Sequence, residues 1–142
     1  MAARCTVKFV KKPDAQTLKG IITIYRAHAW WKPSDTPALA RRLIRGSHCF
    51  AVAAAGGRVI GIGRAVSDGV SDAYIQDMAV LPAERGSGAG SALLKALLAR
   101  LKRDGIKWVG LIAQDNSEYF YRKAGFKTLK KARPMLSPGS YV

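Results

Sequence analysis

The chain has 142 residues, with 24 Lys and Arg against 9 Asp and Glu and a formal net charge of +15. That length suits one domain with a core of its own, so a single domain over 1–142 is expected, and 49% apolar with 23% charged residues excludes a collagen-like, low-complexity or largely disordered chain. The charge disfavours a basic partner and attracts polyanions or phosphorylated ligands; it does not choose between nucleic acid, ribosome and an anionic cofactor, and the Lys/Arg-aromatic interleaving of a base-stacking module is missing.

"CTVKFV" alternates as a short strand, and Pro13 and Asp14 then offer a stop and an N-cap. A helix is expected from Ala15 to about Trp30, because Leu18, Ile21, Ile22, Tyr25 and Ala29 share one face. "WWKPSDTP" breaks it, and "ALARRLIRG" reads as a second short helix ended by Gly46. "CFAVAAA" and "RVIGIGRAV" are strand-like runs joined at Gly56-Gly57, a tight-hairpin signal, and the turn "SDGVSD" leads to a third strand, "AYIQDMAVL", ended by Pro82. From Ala89 to Arg103 a helix is expected with Ala89, Ala92, Leu93, Ala96, Leu97 and Leu101 inward. "IKWVGLIA" then reads as a buried strand, "NSEYFYRKAGF" as a short helix closed by Gly125, and Phe126 to Leu129 as a final strand. The order β-α-α-β-β-β-α-β-α-β gives an α+β class, with a mixed, mostly antiparallel central sheet flanked by helices.

Cys5 and Cys49 have neither a metal spacing nor a disulfide framework and read as buried thiols in a reducing compartment. No metal is expected. With no stretch near the roughly 18 apolar residues of a membrane span and no signal-like start, the expectation is a soluble, unprocessed, cytoplasmic protein without a membrane partner.

"RGSGAG", Arg85 to Gly90, lies between a strand and a helix. A P-loop needs a Gly-Lys-Ser/Thr to bring a lysine to the outer phosphates, and none is here. A dinucleotide fingerprint needs its glycines at the first strand-to-helix turn, whereas three strands precede this loop and its last glycine comes one place early. Two readings remain: a glycine-rich turn that packs a helix close to a strand, or a loop whose free amides, with the helix N-terminus, hold a phosphate.

"DMAVLPAERGSGAGSALLKAL" resembles the acetyl-CoA-binding motif of the GNAT superfamily of N-acetyltransferases, with Val80, Pro82, Arg85, Gly88 and Gly90 on the motif's positions. "FYRKAGF" resembles the family's Phe-Tyr-x-x-x-Gly-Phe signature. The resemblance covers most of the chain and implies the fold and an acetyl-CoA-dependent N-acetyltransferase acting on a primary amine. By it, Arg85, Gly86, Ser87, Gly88, Ala89, Gly90 and Ser91 hold the pyrophosphate. The backbone of Met78, Ala79 and Val80 pairs with the pantetheine arm as an added strand and supplies a donor to the carbonyl oxygen, and this strand and "IKWVGLIA" splay apart to admit the thioester.

Acetyl transfer needs a neutral amine, a donor to the carbonyl oxygen and a proton for the leaving thiolate. Tyr121 falls on the family's general acid, and a phenol near pKa 10 is protonated at neutral pH. The family often has a cofactor-contacting asparagine about seven residues before this tyrosine; Asn116 is five before it, Gln114 is the alternative for that role, and "DNSE" also reads as a helix cap. For the base, Gln76 is unable and Asp77 able through a water. Asp68 and Asp72 are candidates for a cationic acceptor, against a plain turn reading, and Trp30 and Trp31 for an aromatic wall of the acceptor cleft. His28 and His48 read as structural. A non-catalytic acyl-CoA-binding domain and a nucleic-acid or ribosome-associated protein are the alternatives, and a homodimer across "PMLSPGSYV" is an open expectation.

Overall fold

The computed structural model describes residues 5–140. They form, in order, β1 (Thr6–Phe9), α1 (Ala15–Ala27), α2 (Pro37–Gly46), β2 (Cys49–Ala55), β3 (Arg58–Ser67), β4 (Asp72–Val80), a single 3-10 turn (Pro82–Glu84), α3 (Ala89–Arg103), β5 (Trp108–Gly110) and α4 (Glu118–Lys123). The sheet order is β1-β2-β3-β4-β5, antiparallel throughout except for the parallel β4–β5 pair. The chain divides into two compact units, Met1–Gly110 and Leu111–Val142.

Local chemistry sets the elements of the first unit. The Asp14 carboxylate accepts from the Thr17 amide at 2.7 Å and starts α1. Thr36 caps α2 through the Leu39 amide, with Pro37 at its first position. Gly56 and Gly57 both have positive φ and close the β2–β3 hairpin. α1 ends at Ala27, three residues earlier than its apolar pattern suggests, because Ala29 has a left-handed backbone and Trp30 caps back onto the Tyr25 carbonyl.

The alternation of the strands divides two cores. Phe50, Val52 and Ile62 pack with Leu18, Ile21, Ile24 and Tyr25 of α1 and Ile44 of α2. On the opposite face, a Cβ added at Gly61 or Gly63 would meet Leu93 or Leu97 of α3 at 3.0 Å, so these bare positions let α3 lie close against the sheet. Each fully buried Leu or Ile contributes about 1.5–3 kcal/mol. α3 buries Ala89, Leu93, Leu94, Leu97 and Leu101; Leu94 joins the expected stripe, while Ala92 and Ala96 are only half-buried.

Three further expectations change. β5 is three residues long and not buried, with Trp108 41% exposed and Ile112 56% exposed; its pairing with β4 stops at Tyr74 and Gly110. The final strand expected from Phe126 to Leu129 is not formed: among the described residues the second unit offers this lysine-rich stretch no strand to pair with, and α4 is its only regular element. Cys49 is buried but Cys5 is half-exposed, and both are free thiols.

Candidate functional site

After β4, Arg85 leads into Gly86 (φ +81°), Ser87 and Gly88 (φ +89°), and α3 begins at Ala89. Only glycine adopts such φ values freely, and successive left-handed turns aim several amides one way. Gly88 has no side chain to cap the helix. Among the described residues, no amide from Gly86 to Ser91 donates to a protein acceptor outside regular elements, which leaves the positive end of α3 open to an anion. Ser87 Oγ is buried with no hydrogen-bond partner. An unpaired buried hydroxyl costs about 1–3 kcal/mol, and a phosphate oxygen here would satisfy it. These residues therefore fit the pyrophosphate of coenzyme A, and Arg85 is exposed beside them.

β4 has a free edge next to this loop. Its ladder with β5 covers only Asp72, Ala73 and Tyr74, so among the described residues no strand pairs with Ile75–Val80 on that side. The β3–β4 register shifts in the same stretch: Arg64 faces Gln76 and Ile62 faces Ala79, so Gly63 faces both Asp77 and Met78 in a β-bulge, and Asp77 has φ +54°. Leu81 N–H donates to the Ile60 carbonyl at 2.8 Å. By the alternation of an antiparallel strand, the amides of Val80 and Met78 then point to the free edge and that of Ala79 toward β3.

A chain of contacts joins the bulge to the loop. Asp77 Oδ2 accepts from the Tyr25 hydroxyl at 2.8 Å and from Arg64 Nε at 2.6 Å. Burial, and then the neighbouring Asp77 charge, push the Tyr25 phenol far above its ordinary range. The Tyr25 ring stacks on Trp31 at 4.7 Å and meets Trp30 edge-on at 6.1 Å. Trp30 lies 5.1 Å from the His28 ring, and His28 Nε2 is 3.4 Å from an Arg85 guanidinium nitrogen. Trp30, Trp31, Asp77 and Arg85, which lie far apart in sequence, are thus connected within the first unit.

Asp68 and Asp72 lie at the opposite end of β4. Asp68 Oδ1 accepts from the amides of Val70 and Ser71, and Oδ2 from Ser71 Oγ, each at 2.8 Å. These hydrogen bonds hold its pKa down to about 2, so the turn reading accounts for Asp68. The Asp72 backbone carbonyl accepts from Ser67 Oγ. His48 Nε2 is 2.9 Å from Asp104 Oδ2, and Arg100 donates to the same oxygen, tying the start of β2 to the end of α3.

In the second unit, Tyr121 sits on α4, edge-on to Phe120 and Phe126 at 4.9 and 5.8 Å. Burial raises its phenol pKa, so it keeps its proton at neutral pH. Asn116 lies in the turn before α4 with φ +61°, and Ser117 occupies the cap. The alternation of the sequence hides two residues that matter here. Tyr25 reads as one more apolar position of α1. Arg64 is a lone cation between buried Ile62 and Ala65, and that isolation is the signal of a buried partner. Among the described residues no three His, Cys, Asp or Glu side chains are grouped to hold a metal ion, and no helix is long and apolar enough to cross a membrane.

Residues 18–126 match the Acetyltransferase (GNAT) family, a stretch that takes in parts of both units. A GNAT family acetyltransferase from Streptococcus pneumoniae TIGR4 superposes with a TM-score of 0.79 at 26% identity, over 97% of this chain and 100% of that one. Glucosamine-6-phosphate N-acetyltransferase from Arabidopsis thaliana shares the fold, with a TM-score of 0.75 at 20% identity over 95% and 99% of the two chains. Serotonin N-acetyltransferase 2 of Oryza sativa subsp. japonica is 37% identical over 70 residues, 49% of this chain and 35% of the rice protein. Histone acetyltransferase TAP1 of Glycine max is 39% identical over 70 residues, 49% of this chain and 30% of the soybean protein. The matched region thus spans about a third of these relatives' length. The chain belongs to the GNAT acetyltransferase family.

Proposed function

We propose that the chain moves the acetyl group of acetyl-CoA directly to a primary amine. The observation that carries this reading is the pairing of an open anion cradle, Gly86 to Ser91 with the partnerless Ser87 hydroxyl, with an unpaired strand edge from Ile75 to Val80. Such a combination suits a ligand with a pyrophosphate at one end and an extended amide arm at the other. When bound, acetyl-CoA supplies an activated acyl carbon.

Chemically, the amine nitrogen forms a bond to that carbon, the carbon–sulfur bond breaks, one amine proton passes to water and the thiolate takes a proton. Met78 and Val80 turn their amides to the free edge, and we assign to them the donor that meets the carbonyl oxygen as it gains charge. Arg85 and the loop amides offset the phosphate charge. Tyr121 is the proposed acid for the thiolate, since its phenol holds its proton well past neutral pH. Trp30, exposed at the end of α1, and Trp31 behind it are the proposed wall of the acceptor cleft. The two plant relatives carry names with unlike acceptors, serotonin and histone, at nearly equal identity, so the matched 70 residues do not specify the amine.

The test is calorimetric titration with acetyl-CoA, followed by release of free thiol from acetyl-CoA across a panel of amines. Binding together with amine-dependent thiol release supports the reading. No binding overturns it, and binding without release for any amine favours an acyl-CoA-binding domain without catalysis.

A further inference from the structure

Asp77 is set apart within β4. It is a non-glycine residue in the left-handed region, it lies in the bulge opposite Gly63, and its carboxylate is held by side chains from two other elements through a single oxygen. An Asp tolerates this backbone only at some strain, which persists where the surroundings over-determine it. Here they do. Arg64 and Asp77 form an ion pair with side chains 17% and 22% exposed. A second Arg64 nitrogen donates to Ser47 Oγ at 3.3 Å, and Ser47 Oγ donates to the Leu43 carbonyl at 2.8 Å. The network is therefore anchored on α1, the end of α2, and β3, and removing one member leaves a poorly solvated charge or donor behind.

The extra residue has a consequence for everything after it. A one-residue shift exchanges the two faces of a strand and, with them, the sides to which its amides point. With the bulge, Ala79 joins the core under α1, Met78 places its sulfur where a Cβ on Gly63 would stand, and the amides of Met78 and Val80 face the free edge. Without it, Ala79 would present its amide there instead.

We propose that Asp77 is a positioning residue: the Tyr25–Asp77–Arg64 clamp holds the bulge that selects the amides of Met78 and Val80 for presentation at the free edge of β4 to an extended thioester ligand. The ligand in this statement rests on the function proposed above, whereas the register lock does not.

The experiment compares the wild-type chain with Tyr25→Phe, Arg64→Gln, Asp77→Asn and Asp77→Ala, each checked for folding by circular dichroism. Without ligand, NMR cross-strand contacts for Ile62–Ala79 and Gly61–Val80, the native register, weaken or shift in Tyr25→Phe and Arg64→Gln. Acetyl-CoA affinity falls about tenfold in these variants and in Asp77→Ala, as loss of one or two edge hydrogen bonds implies. Asp77→Asn, whose amide oxygen still accepts from both partners, stays within about threefold of wild type and keeps the shape of the turnover pH profile. Native register and wild-type affinity in folded Tyr25→Phe and Arg64→Gln overturn the clamp. Asp77→Asn as inactive as Asp77→Ala, with the acidic limb of the pH profile gone, also overturns it and makes Asp77 a base. If wild type binds no acetyl-CoA yet the variants lose the register, the lock stands and the proposed function falls.

Discussion

His28 and Arg85 meet at 3.4 Å across 57 residues of sequence, joining the end of α1 to the first residue of the glycine loop. His28 Nδ1 lies 3.1 Å from the Ile24 carbonyl. With the proton on Nδ1, that nitrogen donates to the carbonyl and leaves Nε2 to accept from the guanidinium. Arg85 is thereby held near the loop before any anion arrives. Arg85→Ala is expected to weaken acetyl-CoA at least tenfold, the scale of one charge-assisted hydrogen bond, and to flatten the dependence of affinity on salt. Calorimetry at several ionic strengths reads both, and an unchanged dissociation constant removes Arg85 from the site.

Ser87→Ala should act with opposite signs on the two states of the protein. The free protein loses a buried hydroxyl that has no partner, so its melting temperature stays level or rises. The ligand-bound protein loses a hydrogen bond to phosphate, of about 1.5–3 kcal/mol. A lower melting temperature without ligand would mean the hydroxyl already has a partner.

Tyr121→Phe removes the proposed proton donor and keeps the ring that packs edge-on against Phe120 and Phe126. Turnover should fall about 100-fold, the lower range for a lost general acid, with acetyl-CoA affinity unchanged. Because burial raises the phenol pKa, the loss of wild-type turnover from its deprotonation lies above the ordinary tyrosine range near 10. Steady-state kinetics against pH tests both, and full turnover in the variant assigns the proton to another group.

For Asp68 the prediction concerns acid. Its folded pKa, about 2, lies below the ordinary aspartate value of 3.8, so its contribution to the turn is complete above 3.8 and is lost as pH falls toward 2. The amide NMR shifts of Val70 and Ser71 should titrate together with a midpoint near 2. A midpoint near 3.8 would show that the two amides do not hold the carboxylate. Asp68→Ala should loosen the turn without altering the KM for a cationic acceptor, whereas a large rise in KM would restore Asp68 to the acceptor site.

The sequence carried the fold where local chemistry and periodicity agree. Asp14 and Gly56-Gly57 cap and turn where they are expected to, and Leu93, Leu97 and Leu101 of α3 are buried as expected. It misled at the C-terminal side. "IKWVGLIA" has the apolar run of a buried strand, but whether such a run pairs depends on a neighbour that sequence periodicity does not see, and only Trp108–Gly110 pair. In the candidate site the glycine loop was legible because positive φ demands glycine. The bulge was not, since Asp77 looks like any polar position of an alternating strand until its register with Gly63 is known. Tyr25 and Arg64 escaped for the same reason: their roles are set by residues 52 and 13 positions away.

The open edge of β4 also bears on how the protein behaves as a solute. The alternate peptide groups of Ile75–Val80 that face this side are a template onto which a strand of another molecule can add. The net charge of +15 opposes the approach of a second copy, and that repulsion is a long-range force which dissolved salt removes. Solutions of the ligand-free protein are therefore expected to turn cloudy as ionic strength rises, with the onset moved to higher salt when acetyl-CoA occupies the strip, so that the co-substrate also serves as a colloidal stabiliser.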